Sequence, residues 1–291
     1  MSRRHTIPVL LVFVALAWAG SFVVVKAITA EIDPIFLGFL RFSVATPFML
    51  LVLVIQKKKL IWDRKLMPWI ATLGLTGVTL LYIFQFLGVS LTTAATAGVL
   101  INTNVIFIAL LSVLILKEKL TPKTFCGILL SFIGAIIVVW SRSTDTTIIF
   151  SDIFIIGSIL IILSAFSWAI YTIIGKKLLT IYDPIEITTT GFLWGTIFYL
   201  PLLPYVYTNW TTISLPGWGA VLYLALICSV FAYLGWYYAL KHIQASKAAV
   251  YLNLIPLFTI LLALLFGEIP SPTFLIGAGL IIYGVYLTQH S

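Results

Sequence analysis

Long apolar runs, separated by short polar or Pro/Gly breaks, dominate this chain from end to end. A helical run of about 20 apolar residues is long enough to cross the hydrocarbon core of a bilayer. Runs of that length fall near 8–29, 34–56, 67–88, 93–116 and 122–140, and again near 152–175, 184–206, 216–240, 245–266 and 270–288. The pattern predicts an all-α integral membrane protein with ten transmembrane helices. Its connections are too short for a separate water-soluble domain. The first run follows Ser2-Arg3-Arg4-His5, the flank of a secretory signal. Its apolar stretch from Ile7 to Val25 exceeds a typical signal h-region, so it is read as a helix.

Composition agrees with that reading. The chain is 62% hydrophobic and 9% charged, whereas soluble domains carry about a quarter charged residues. The net charge of +8 raises the question of nucleic acid, which its placement answers. With the N-terminus in the cytoplasm, inner segments hold Arg3, Arg4, Lys57, Lys58, Lys59, Arg64, Lys65, Lys117, Lys119, Lys123, Lys176, Lys177, Lys241 and Lys247. Those are 14 of the 17 Lys and Arg residues. Outer loops hold Arg142, while Lys26 and Arg41 lie within or near the ends of spans. This asymmetry is an orientation signal that puts both termini in the cytoplasm of a plasma-membrane protein. The excess charge also attracts anionic lipid and requires no nucleic-acid partner. Cys126 and Cys228 stand singly in apolar runs, which gives no disulfide framework and no metal site.

The two sets of five runs repeat one another. At an offset of 150 residues, Trp18 falls on Trp168, Lys26 on Lys176 and Asp33-Pro34 on Asp183-Pro184. The same offset places Glu118 on Glu268, Thr121-Pro122 on Ser271-Pro272, Gly127 on Gly277 and Gly134 on Gly284. Matches between leucines would mean little in so apolar a chain; ordered matches of Trp, Lys, Asp-Pro, Glu and Gly mean more. The halves are read as 1–141 and 150–291. Each holds an odd number of spans, so the second copy enters the membrane from the opposite side. Inverted repeats of this kind recur in secondary transporters, with the substrate site near the midplane between the halves.

Several motifs then resemble a known family. Trp18-Ala19-Gly20-Ser21-Phe22 ending at Lys26, Phe39-Leu40-Arg41-Phe42 and Lys117-Glu118-Lys119-Leu120-Thr121 resemble the first half of an EamA-type member of the drug/metabolite transporter superfamily. Asn253-Leu254-Ile255-Pro256-Leu257-Phe258 followed by Gly267-Glu268 resembles its second half. The resemblance spans nearly the whole chain. It implies two inverted five-helix repeats around a central cavity, lined mainly by helices 1, 3, 4, 6, 8 and 9. The second half carries Gly191 where the first has Arg41, so the arginine is not duplicated.

Polar groups inside a membrane are costly to bury, and each is a functional candidate. Gln85, Asn102, Asn104 and Asn253 lie deep in apolar runs, with Trp18, Tyr82, Trp168, Tyr171 and Trp236 adding aromatic faces. An apolar cavity with a few amides and ring edges suits a small amphipathic solute; interhelical hydrogen bonding and ring packing are the alternatives. Arg41 lies about 10 Å into the second span by helical rise. Three roles are open to it: contact with substrate, a structural ion pair with Glu31, Asp33 or Glu268, or snorkelling to the surface. Lys26 shares a membrane face with Glu268, and Lys176 with Glu118, so these pairs are candidate outer and inner gates.

Other classes fit less well. The three histidines are not paired at metal-ligand spacing, and there is no HExxH, no G-x-S-x-G and no nucleotide-binding motif. No enzyme activity and no cofactor are expected, and transport would be secondary rather than ATP-driven. The expected cargo is a small metabolite such as an amino acid, with a multidrug exporter or a lipid flippase as the alternatives. All nine acidic residues sit at span ends or in loops, which disfavours proton-coupled export of lipophilic cations. Gly191-x-x-x-Gly195 permits close helix approach within a monomer or across a homodimer.

Overall fold

The computed structural model describes residues 3–28, 31–92, 97, 100–140, 152–206, 210–264 and 272–290, without the side chains of 3–5, 22, 23, 26, 139, 140, 260, 263 and 264. Most of these residues are helical, with no strand among them. The first half comprises α1 (Arg3–Ile28), α2 (Pro34–Ile55), α3 (Met67–Leu91), α4 (Thr103–Leu116) and α5 (Pro122–Trp140). The second comprises α6 (Asp152–Leu178), α7 (Pro184–Tyr199), α8 (Leu215–His242), α9 (Leu254–Leu264) and α10 (Pro272–Gln289). Among them α2, α3, α6, α8 and α10 are long and apolar enough to cross a membrane, and shorter apolar helices lie within α1, α4 and α5.

The helix starts follow from local chemistry. Pro34, Pro122, Pro184 and Pro272 each occupy the first helical position, where a missing N–H costs nothing. Asp33 accepts from the amides of Ile35 (2.8 Å) and Phe36 (3.2 Å), and Thr121 from that of Thr124 (3.1 Å). Asp183 and Glu186 form a capping box at the start of α7. Lys117 closes α4 in the left-handed conformation with φ 56°.

Interruptions inside the apolar runs are less legible. α3 widens into a π-helical turn at Leu75–Thr79 and α8 into a longer one at Tyr223–Phe231. These stretches correspond in the repeat. The offset between matched residues is 150 for Thr79 and Ser229 but 151 for Tyr82 and Tyr233. One extra residue in α8 is thus absorbed by widening the helix where both its ends are already held. The ninth run is also broken: a short helix Ala245–Ala249 and a 3-10 turn Val250–Asn253 precede α9. Pro256 has no N–H for the Leu252 carbonyl, which releases that turn from regular α geometry. α7 ends as a 3-10 segment, Leu200–Tyr205, containing Pro201 and Pro204.

Corresponding residues of the two halves touch one another. The Trp18 and Trp168 rings meet edge-on with centroids 5.2 Å apart. Thr46 Oγ1 lies 3.0 Å from Thr196 Oγ1, and the Tyr82 and Tyr233 hydroxyls are 3.0 Å apart. Residues that contact their own counterparts lie where a two-fold axis between the halves passes. α5 and α10 cross antiparallel in the same symmetric way. A Cβ on Gly127 would sit 2.6 Å from the Gly284 carbonyl oxygen, and one on Gly134 would sit 2.7 Å from that of Gly277. Exchanging the halves converts one contact into the other. Only glycine allows backbones that close.

Candidate substrate cleft

A cleft open at one end lies between the halves. Its polar wall is Ser21 on α1, Arg41 on α2, Tyr82 and Gln85 on α3, and Asn104 on α4, with the Trp18 and Trp168 rings beside them. The rest is aliphatic or aromatic, including Val25, Phe86, Val89 and Ile255. That mixture of a large apolar area with a few convergent polar groups is typical of small-molecule sites.

Arg41 is 1% exposed and is held by the π segment of α8. Its Nε donates to Ser229 Oγ at 2.7 Å and its Nη2 to the Cys228 carbonyl at 3.1 Å. Trp18 Nε1 donates to the same carbonyl at 2.9 Å. A widened turn leaves carbonyls free of ordinary helical partners, so Cys228 can serve two donors from α1 and α2. The guanidinium also lies over the Tyr82 ring, 4.3 Å from its centroid, a favourable cation–π distance. Among the described residues, no carboxylate pairs with it. The alternatives of an ion pair with Glu31 or Asp33 are therefore not realised here. Glu31 instead accepts from the Ser214 backbone amide and from Ser214 Oγ (3.0 Å), and Asp33 caps α2. Glu268 lies outside the described residues.

Tyr82 belongs to a chain of hydroxyls. Tyr233 donates to the Gly77 carbonyl at 2.8 Å, so Tyr82 donates in turn to Tyr233. Two buried polar atoms in the wall have no hydrogen-bond partner among the described residues: Asn104 Oδ1 and Trp168 Nε1. Such atoms are costly to leave unpaired unless something in the cleft meets them.

The residues singled out from sequence divide in two. Trp18, Tyr82, Gln85, Trp168 and Arg41 share the cleft wall; Asn102, Tyr171, Trp236 and Asn253 do not. Asn102 sits at the turn that precedes α4. Asn253 ends the 3-10 turn before α9 and donates to Ser131 Oγ at 2.8 Å. The two asparagines thus mark corresponding breaks in the helices. Tyr171 stacks under Trp168 at 5.3 Å and tilts against Tyr237 at 5.0 Å. Trp236 packs against Trp18 and Trp168 at 5.9 and 5.7 Å. These rings close the far end of the cleft. Sequence reasoning missed the Cys228 carbonyl and Ser229. A backbone acceptor leaves no trace in side-chain identity, although Ser229 is the counterpart of Thr79.

The candidate gating residues are arranged differently from a direct pair. Lys176 Nζ donates to the Leu240 carbonyl and, at 2.7 Å, to that of Ile243. Glu118 accepts from the amides of Ala245 (2.7 Å) and Ser246 (3.2 Å) and from Ser246 Oγ (2.9 Å). The lysine meets the C-terminal carbonyls of one helix and the glutamate the N-terminal amides of the next, each matching the helix dipole. Together they clasp the α8–α9 connection instead of each other. The side chain of Lys26 and all of Glu268 lie outside the described residues. At the same end of the bundle, Asp183 receives Lys241 (2.7 Å) and Lys58. Hydrogen bonds from Lys241 and then Lys58 hold the Asp183 carboxyl below its usual range, and the bond to Asp183 raises the Lys58 ammonium.

The sequence profile of the EamA-like transporter family matches this chain twice, over residues 6–140 and 155–289. An uncharacterized transporter of Archaeoglobus fulgidus is 41% identical over 296 residues, covering 99% of this chain and 97% of that one. A probable terminal-alkyne amino-acid exporter of Streptantibioticus cattleyicolor is 28% identical, covering 76% of this chain and 72% of its own. A solved crystal structure superposes with a TM-score of 0.82 at 18% identity, over 97% of this chain and 96% of that one. That likeness concerns the fold.

Proposed function

This chain belongs to the EamA-like transporter family, and on that premise we propose that it carries small metabolites such as amino acids across the plasma membrane by alternating access. It is a multi-pass membrane protein, and the halves 1–141 and 150–291 act as inverted five-helix repeats with both termini in the cytoplasm. The contacts between corresponding residues and the antiparallel α5–α10 crossing support this arrangement.

One observation carries the reading: the cleft occupies one half of a symmetric frame whose other half is filled. Ser21, Gln85 and Phe86 in the wall correspond to Tyr171, Trp236 and Tyr237, and these last three are fully buried. The mouth lies toward Val25, Val89 and Ile101, at the ends opposite Lys58, Lys117, Lys176 and Lys241. With the lysine-rich ends inside, the structure is outward-open. Exchanging the open and filled halves gives the inward-open state, and substrate shifts the balance through its differential affinity for the two. An amino-acid cargo is favoured by the relative named as an amino-acid exporter and by a cleft with a cation and no described carboxylate.

Single cysteines at 33 and 183, in a chain with Cys126 and Cys228 replaced, test the topology. Impermeant maleimide added to intact cells should label position 33 alone, and position 183 only after permeabilisation. Labelling of both from the same side refutes the inverted repeat, and with it this mechanism.

A further inference from the structure

Resting on the carrier reading above, we propose that Arg41 is the carboxylate-binding residue of the cleft and that the substrate is an apolar amino acid. A buried guanidinium is stable only when its charge is met. Here the described partners are a hydroxyl, a carbonyl and a ring face, which solvate the charge without neutralising it. They also occupy only part of the guanidinium's donor set. The residue nevertheless forms part of the wall of an open cleft. A substrate carboxylate supplies the missing counter-charge through charge-assisted hydrogen bonds.

The remaining unpaired groups match the rest of the molecule. Asn104 lines the cleft, and its buried Oδ1 is an acceptor without a donor; rotation of the side chain toward an ammonium beside the carboxylate provides one. Trp168 Nε1 is a second buried polar atom of the wall, a donor without an acceptor. Leu81, Phe86, Val89 and Ile255 then surround an aliphatic or aromatic side chain. A free amine without a carboxylate would instead meet the Arg41 charge with no acid to offset it. Gly191 stands at the position corresponding to Arg41, so recognition belongs to the first half.

Four small probes and the purified full-length chain test this assignment by thermal shift. L-leucine has both charges, 4-methylpentanoate lacks the amine, 3-methylbutylamine lacks the carboxylate, and leucinamide has it neutralised. Leucine and 4-methylpentanoate should raise the melting temperature, and the amine and the amide should not. Arg41→Gln should weaken leucine binding on the order of 10- to 100-fold. Asn104→Leu should weaken leucine roughly 10-fold and leave 4-methylpentanoate unchanged, an arm that holds even where Arg41→Gln does not fold. Leucinamide or 3-methylbutylamine binding as tightly as leucine overturns the proposal, as does an Arg41→Gln protein with unchanged leucine affinity. Uptake assays in proteoliposomes separate this failure from that of the carrier reading. A sugar or nucleobase carried while no carboxylate binds refutes the substrate class and leaves the carrier standing. Absence of uptake for every solute, with both cysteines labelled from one side, refutes both.

Discussion

A methyl group added to Gly134 tests the antiparallel α5–α10 crossing directly. The new Cβ would lie 2.7 Å from the Gly277 carbonyl oxygen and 2.8 Å from the Ile281 nitrogen. Carbon atoms in good contact stand about 3.5–4.0 Å from their neighbours, so the helices must separate by close to ~1 Å. Both obstacles are backbone and cannot rotate aside. A gap of that size forfeits a quarter to a half of the local dispersion energy, and overpacking of this kind costs about 1–3 kcal/mol. Gly279 on the opposing helix α10 is the control, because a Cβ there meets nothing within 4 Å. Gly279→Ala should be neutral or stabilising by up to about 1 kcal/mol, since alanine is the better helix former. The two variants should therefore differ by roughly 1–4 kcal/mol in reversible unfolding titrations in detergent. Gly277→Ala should resemble Gly134→Ala, and the double variant should cost less than the sum, because one separation relieves both clashes. Equal stability of Gly134→Ala and Gly279→Ala would show that the helices do not meet as described.

Three further substitutions probe the cleft and its closed end. Ser229→Ala removes the acceptor of Arg41 Nε and should cost about 1–3 kcal/mol, the penalty for an unmet buried donor, read from the same titrations. Tyr233→Phe deprives both the Gly77 carbonyl and Tyr82 of their partner and should cost a similar ~1–3 kcal/mol; an unchanged midpoint would contradict the hydroxyl chain. For Asp183 the sign follows from its depressed folded pKa. Its contribution is present above the unfolded carboxylate pKa and is lost as pH falls through the lower folded value. Its side chain is 32% exposed, so the effect is modest and salt-sensitive. Melting curves of wild type and Asp183→Asn should converge on acidification and again in high salt; a gap that widens toward low pH would contradict the pairing with Lys58 and Lys241.

Helix boundaries were legible wherever punctuation is local. Asp33-Pro34, Thr121-Pro122 and Asp183-Pro184 cap and start helices through short-range bonds that sequence spacing fully specifies. The repeat was legible because its matches fall on rare residue types. Interior breaks were not, since a π turn or a 3-10 turn within an apolar run is set by what packs against it. Asn102 and Asn253 illustrate this: both stand deep in apolar runs, and both occupy helix discontinuities that the runs do not announce. Sequence also placed Lys176 and Glu118 on one face without showing that backbone dipoles lay between them. Arg41 was legible as a costly buried charge, but its partners on α8 required the three-dimensional arrangement.

The halves share residues where they touch across the axis and differ where space is filled, and this difference has an energetic consequence. Trp18 faces Trp168 and Thr46 faces Thr196, so the scaffold is close to symmetric. Ser21 against Tyr171, and Gln85 against Trp236, are not equivalent in volume. On the proposed alternating cycle, opening the inner end separates the Tyr171–Tyr237 contact between α6 and α8, an aromatic pair contributing about 0.5–1.5 kcal/mol. Opening the outer end has no matching requirement among the described residues. In a carrier that works as proposed, that pair makes the two end states unequal by on the order of 0.5–1.5 kcal/mol before substrate binds, in favour of the outward state. Replacing Tyr171 with serine, its counterpart in the first half, should remove that bias. Accessibility of a cysteine at 240, a position buried at the lysine-rich end of α8, should increase in Tyr171→Ser without substrate; an unchanged labelling rate would show that the aromatic rings do not set the balance between the states.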